Sequence, residues 1–373
     1  MTGPPKYIFA GICLLMALPK GVNAALIGPV PVTGGTVTGA AARDASVSVF
    51  RGIPYAAPPL QDLRWKAPAP VAPWKDAKKA NKVPGECIRP GSGSASGTED
   101  CLYLAVWTAA RAAGENRPVA VFLPGPEGTS GLDGEALASR GVVVVIAQSR
   151  GGLMGFLSHP DLSEESEKKA SGNYGLLDQL AVLEWVRGNI AGFGGDSRKV
   201  TVAGPSVAWL AGSPLAKGMF AGAIATTAGE AVPLAEAEKA GEKFALTQNA
   251  HSMRYLRPME AGDLVQATLE EHYEALPAVD GWVLQANWRT AVPEGVAVLA
   301  AAGEWAGAIA ATGKNKVFSW IASPDLNVLK MILAPREPAT ENPAGYWLNF
   351  FTNGNPNGKG LPAWTGGTPR LLN

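Results

Sequence analysis

Ser206 follows Val200–Gly204 (VTVAG), an apolar run rich in β-branched residues, and is followed at once by Val207 and Ala208. A serine on a tight strand-to-helix turn is the geometry of a nucleophile elbow. The local pattern Gly204-Pro205-Ser206-Val207-Ala208 keeps the first glycine of G-x-S-x-G. The second glycine is replaced by Ala208, whose extra bulk pushes helix away from strand. The partners that such a hydroxyl needs are scarce. The chain holds three histidines, His159, His251 and His272, and none follows residue 272. His159 lies in a loop-like segment (LSHP), while His251 (QNAHSM) and His272 (LEEHYEA) flank charged helical sequence and read as solvated positions. No pair of them has metal-ligand spacing, so no metal site is expected.

The elements that must position Ser206 alternate in type. Val119–Leu123 (VAVFL) and Val142–Ala147 (VVVVIA) are short apolar runs of the kind that forms strands buried on both faces. Between them and Ser206, Tyr174–Ile190 places Leu176, Leu180, Leu183, Val186 and Ile190 at helical spacing. Ala223–Thr227 reads as the next strand. This alternation predicts an α/β fold with a mostly parallel central sheet flanked by helices. Val30–Val37 predicts an edge hairpin around a Gly-Gly pair. Residues 53–98 read as a long ordered loop region carrying Trp65 and Trp74. Further on, 234–275 reads as amphipathic helix, Val279–Leu284 and Val317–Ile321 as strands, Ala344–Phe351 as a helix start, and the last 20 residues as coil.

Composition narrows the partners. The chain has 373 residues, with 32 Lys plus Arg balancing 32 Asp plus Glu. Neutral balance without a basic block argues against nucleic acid or an anionic membrane surface. Lys6 followed by the apolar run Tyr7–Leu18 and a Val-x-Ala site ending at Ala24 predicts a signal peptide over 1–24, one domain over 25–373, and a secreted, periplasmic or extracellular location. No later stretch is long enough to span a bilayer. Cys13 leaves with the signal, and Cys87 and Cys101 remain as an even pair. In an exported chain a disulfide between them is the natural reading, with free buried thiols the alternative.

Several stretches together resemble the type-B carboxylesterase/cholinesterase family of the α/β-hydrolase fold. They are Val49–Pro59 (VFRGIPYAAPP) with Arg64-Trp65, Glu99–Trp107 (EDCLYLAVW), Gly172–Gly195 (GNYGLLDQLAVLEWVRGNIAGFGG), Ser213–Phe220 (SPLAKGMF), Asp280-Gly281 and Tyr346–Trp364 (YWLNFFTNGNPNGKGLPAW). The second of these supports the Cys87–Cys101 pairing. The resemblance implies hydrolysis of a carboxylic ester through a Ser206 acyl-enzyme, no cofactor, and a small-molecule ester or other apolar ligand as partner.

The chain departs from that family where the chemistry takes place. The family uses serine, acid and histidine in that order. Its histidine belongs before the Tyr346 helix, where this sequence has none, which implies a block lost between about Trp320 and Tyr346 and a C-terminal part truncated relative to the family. For the acid, Val298–Gly307 (VLAAAGEWAG) offers Glu304. The oxyanion hole would draw on the backbone of Gly125, Glu127 and Val207. Pro126 has no N–H to donate, and the Glu127 carboxylate adds negative charge beside a developing oxyanion. The expectation is therefore an esterase-family serine hydrolase with impaired catalysis. The alternative is a non-catalytic member retained for binding or adhesion, with a protein partner.

Overall fold

Val143–Ala147 is a run of five apolar residues, every one of them buried, and strands of this kind organise the chain. The computed structural model describes residues 26–123, 125, 128–227, 229–301, 303–322, 328–333, 343–359, 361–364 and 370–372. The expected signal peptide lies outside the described residues.

The strands in chain order are β1 Val30–Val32, β2 Gly35–Thr38, β3 Ala40–Ala41, β4 Ser48–Pro54, β5 Lys78–Lys79, β6 Tyr103–Thr108, β7 Arg117–Phe122, β8 Val143–Ala147, β9 Gly195–Gly204, β10 Gly222–Ala225, β11 Val232–Pro233, β12 Ala278–Val279, β13 Ala297–Ala301, β14 Val317–Ala322 and β15 Arg370–Leu372. The helices are α1 Glu135–Ala138, α2 Gly152–Phe156, α3 Pro160–Glu165, α4 Tyr174–Asn189, α5 Val207–Gly212, α6 Leu234–Thr247, α7 Met253–Leu256, α8 Ala261–Glu270, α9 Glu304–Ala311, α10 Val328–Leu333 and α11 Pro343–Asn353.

Ten strands make the central sheet, in the order β15-β14-β13-β10-β9-β7-β8-β6-β4-β3. From β15 to β8 neighbours run parallel, and β6, β4 and β3 close the other edge antiparallel. The mostly parallel sheet read from the sequence is present. Successive strand residues point to opposite faces, and both faces are covered. Val119, Val121, Val200, Val202, Ala223 and Val298 pack with α4, α5 and α9 on one face. Ala120, Phe122, Ala203, Ile224 and Leu299 pack with α1, α10 and α11 on the other, against an aromatic group that includes Trp320, Trp347 and Phe350. A third apolar cluster joins α2 and α3 to α6, α7 and α8 around Trp65 and Phe244.

The predicted hairpin is β1–β2. Two expectations change. Val279–Leu284 is not a strand: only Ala278–Val279 pairs, with β11, and the chain then turns at Asp280. The carboxylate of Asp280 accepts the N–H groups of Trp282 and Leu284, which removes donors that a ladder would need. The last 20 residues are not all coil either, because β15 adds parallel to β14 at the sheet edge. The segment in which a lost block was inferred includes 323–327 and 334–342, which lie outside the described residues.

Candidate active site around Ser206

β9 ends at Gly204, residues 205–206 form the turn, and α5 begins at Val207. The strand end is crowded. The Leu123 N–H donates to the Ala203 carbonyl at 2.9 Å, and a Cβ on Gly204 would collide with the Leu123 carbonyl oxygen. Gly204 adopts φ +157°, so both space and conformation require glycine there. Pro205 is fixed by the Thr227 hydroxyl, which donates to its carbonyl at 3.1 Å.

Ser206 is buried, with 7% of its surface exposed. Its backbone lies at φ −84°, ψ −2°, at the bridge edge of the right-handed region, and the residue is buried, whereas an elbow serine presents its oxygen to solvent. The turn is present, but its serine is buried. The Ser206 hydroxyl donates to Oε1 of Gln179 at 2.9 Å. Gln179 is itself buried on α4, and its amide nitrogen reaches the Ser149 hydroxyl at 3.4 Å.

Val207, buried, is the first residue of α5, so its N–H belongs to the helix's unpaired first turn. Gly125 lies just beyond β7, half-buried, and its carbonyl accepts the Gly128 N–H at 3.0 Å. Glu127 and Pro126 lie outside the described residues. The turn after them is tied to the disulfide loop: Thr129 donates to Glu86 at 3.2 Å, and Glu86 pairs with Arg89. Ala208 is fully buried in the cluster that includes Val200 and Val202 of β9, so its methyl is taken up by the core.

Glu304 opens α9 at the end of β13, which is separated from β9 by one strand, β10. Its side chain is solvent-exposed. Ser206 and Val207 are thus adjacent, and Gly125 follows the strand beside theirs, while Glu304 stands two strands away.

No histidine adjoins Ser206 in the described residues. His159 is not a loose loop residue but the buried N-cap of α3: its Nδ1 accepts the Asp161 N–H at 3.1 Å. Burial pushes its pKa below the usual imidazole value, against the pull of Asp161, Glu242 and Glu238. His251 and His272 are exposed. Among the described residues, no group of three or more His, Cys, Asp or Glu could hold a metal ion.

The disulfide Cys87–Cys101 is formed, with a Cα–Cα distance of 4.9 Å. It closes a loop that Gln148, at the end of β8, holds from both sides: its side-chain oxygen accepts the Cys87 N–H at 2.8 Å and its nitrogen donates to the Gly85 carbonyl at 2.9 Å.

Sequence reading missed Gln179 and the buried Arg150–Asp178 pair. A signal for both existed. Asp178 and Gln179 are adjacent polar residues inside the apolar run of α4, and polar groups there must find partners.

The sequence pattern of the carboxylesterase family matches residues 28–298. Among similar proteins, a fumonisin B1 esterase of Sphingopyxis macrogoltabida is 42% identical over 242 residues, 60% of this chain and 44% of that protein. A human cocaine esterase is 36% identical over 245 residues, 58% of this chain and 43% of that one. The chain thus spans less than half the length of these two relatives. Carboxylesterase EST55 of Geobacillus stearothermophilus superposes with a TM-score of 0.78 at 25% identity, covering 90% of this chain and 93% of its own. A PNB esterase gives a TM-score of 0.77 at 24% identity, with 91% and 94% covered, a likeness of fold. The parallel sheet with helices on both faces is therefore the α/β-hydrolase fold. With the family pattern running from the β1–β2 hairpin into β13, well over half its length, the chain belongs to the carboxylesterase family.

Proposed function

We propose that the protein is an exported carboxylic-ester hydrolase scaffold, one domain over 25–373, in which Ser206 holds the nucleophile position and turnover is impaired. Family membership supports small-molecule esters as the substrate class. Ser206 at the β9–α5 turn supports an acyl-enzyme route, with Val207 and Gly125 as backbone donors and Glu304 as the acid that the family likeness offers. Glu127 would stand beside the oxyanion and oppose it.

The single observation that carries impairment is the place of the histidines. The family histidine belongs ahead of the Tyr346 stretch, and no histidine occurs between His272 and Tyr346. His159 is committed to capping α3, and the other two are on the surface. A serine without its base loses about 10⁴-fold or more in turnover.

The intact disulfide is consistent with export and cleavage of 1–24. The second reading, a non-catalytic binding member with a protein partner, is favoured by the burial of Ser206, whose hydroxyl donates to an amide. Hydrolysis of p-nitrophenyl butyrate tests the loss of turnover that both readings share, with the Ser206→Ala protein as background. Fumonisin B1 serves as a further substrate because of the relative that bears its name. Activity indistinguishable from that of Ser206→Ala is expected on both. Turnover far above that background would overturn impairment.

A further inference from the structure

Two Asn-Gly steps stand close together after α11, Asn353-Gly354 and Asn357-Gly358. At such a step the glycine nitrogen can attack Cγ of the asparagine and expel ammonia, and a glycine without Cβ leaves that approach open. The fold treats the two steps differently.

Asn357 is locked. Its Nδ2 donates to the Trp364 carbonyl at 2.8 Å and to Oδ1 of Asn355 at 3.1 Å, and its Oδ1 accepts the Trp364 N–H. Trp364 is itself buried: its Nε1 donates to the Ser319 carbonyl at 3.1 Å, and its ring meets Tyr346 edge-on at 5.3 Å. The glycine of this step is held too. A Cβ on Gly358 would collide with the Asn349 side chain, whose Nδ2 donates to the Pro356 carbonyl at 3.1 Å. To react, Asn357 must give up three hydrogen bonds and loosen a buried tryptophan.

Asn353 is exposed and is the last residue of α11. Its Oδ1 accepts the Asn355 N–H at 2.9 Å, a bond that draws electrons away from Cγ. Its Nδ2, the leaving group, has no partner among the described residues. The attacking nitrogen is tied once: the Gly354 N–H donates to the Phe350 carbonyl at 2.8 Å. That bond closes the end of the helix, where opening costs least.

We propose that Asn353 is a site of spontaneous deamidation in the folded chain, and that the Trp364 lock spares Asn357. When the last turn of α11 opens, the Gly354 nitrogen bonds to Cγ of Asn353. The Cγ–Nδ2 bond breaks, and Nδ2 leaves as ammonia with the Gly354 amide proton. Water then opens the cyclic imide at either of its carbonyls, giving aspartate or isoaspartate. The product places a carboxylate at the C-terminal end of α11, where the helix carbonyls already carry partial negative charge. This inference stands apart from the reading of Ser206.

The test follows both steps by peptide mapping and mass spectrometry while the purified full chain is held at neutral and at mildly alkaline pH. In the folded chain Asn353 is expected to convert more than about tenfold faster than Asn357, because the helix end opens far more readily than the lock. Both rates should rise with pH, since the attacking nitrogen must lose its proton. In urea the two steps should convert at similar rates. Trp364→Ala should bring Asn357 close to the rate of Asn353 and leave Asn353 unchanged.

Equal conversion of the two steps in the folded chain would overturn the proposal. So would an Asn353 that stays intact when folded over a time in which it converts in urea. A folded Trp364→Ala protein in which Asn357 stays slow would overturn the lock. Should that variant fail to fold, the ratio of the two rates in the folded parent, set against the ratio in urea, decides.

Discussion

Arg150 and Asp178 form a buried ion pair beneath the candidate site, 4% and 0% exposed in their side chains. Nε and Nη2 of Arg150 reach separate carboxylate oxygens at 2.8 and 2.7 Å, and its backbone N–H adds a third bond at 3.0 Å. The pair joins the end of β8 to α4 one residue before Gln179. Removing one partner of such a pair leaves the other charge buried without compensation. Asp178→Asn is expected to lower stability by about 3–5 kcal/mol. Replacing both residues with apolar ones of similar size should cost less than the single change. Urea unfolding midpoints of the three proteins check this, and a single variant as stable as the double would contradict it.

The Cys87–Cys101 bridge spans 14 positions and limits the unfolded chain accordingly. A loop of this length stabilises by about 3 kcal/mol in the chain-entropy model. The double change Cys87→Ser and Cys101→Ser should therefore lower the unfolding free energy by about that amount and bring down the midpoint with it. Reductant should do the same to the parent and nothing to the variant. Equal midpoints for the oxidised parent and the double variant would show that Gln148 alone secures the loop.

His159 links stability to pH. Its pKa is lowered in the folded protein, first by burial, so the unfolded chain takes up a proton at a higher pH than the folded one. The stabilisation is complete above the ordinary imidazole value of about 6.5 and is lost as pH falls through the lower folded value. Protonation also ends the ability of Nδ1 to accept the Asp161 N–H, and losing such a cap costs about 1 kcal/mol. Melting temperatures at pH 7.5 and pH 5 should fall more for the parent than for His159→Asn, which caps without titrating. The same fall in both proteins would assign the effect elsewhere.

The fold was legible where burial dictates residue type over a whole element. β8 is apolar throughout because both faces are covered, and α4 shows its apolar spacing because one side packs on the sheet. The Ser206 turn was legible because strand and helix patterns meet there. The partner of Ser206 was not, since the contact joins residues 27 apart, one on α4 and one in the turn before α5, and depends on where each side chain points. The slot of Glu304 came only from family likeness: its own segment carries no local sign of function, and it is exposed in the structure. β15 was missed because three residues at a sheet edge are ordered by their neighbour β14 rather than by their own pattern.

Asp280 is the same lesson in a form that can be measured. The apolar stretch around it suggested a strand, yet one carboxylate replaces the ladder. Its Oδ1 accepts the N–H groups of Trp282 and Leu284, both at 2.9 Å, and its Oδ2 accepts Asn173 Nδ2 at 3.0 Å. Asn173, buried ahead of α4, also exchanges bonds with the backbone of Ala278 at 2.7 and 3.1 Å. The turn and the start of α4 are thus one unit, and α4 carries Gln179 to Ser206. Asp280→Ala strands three donors in a half-buried place and should cost about 1–3 kcal/mol per donor left without a partner. Asp280→Asn keeps an oxygen for the two backbone donors and should cost less. Asp280→Ala as stable as the parent would mean that β11–β12 pairing, not the carboxylate, holds the turn.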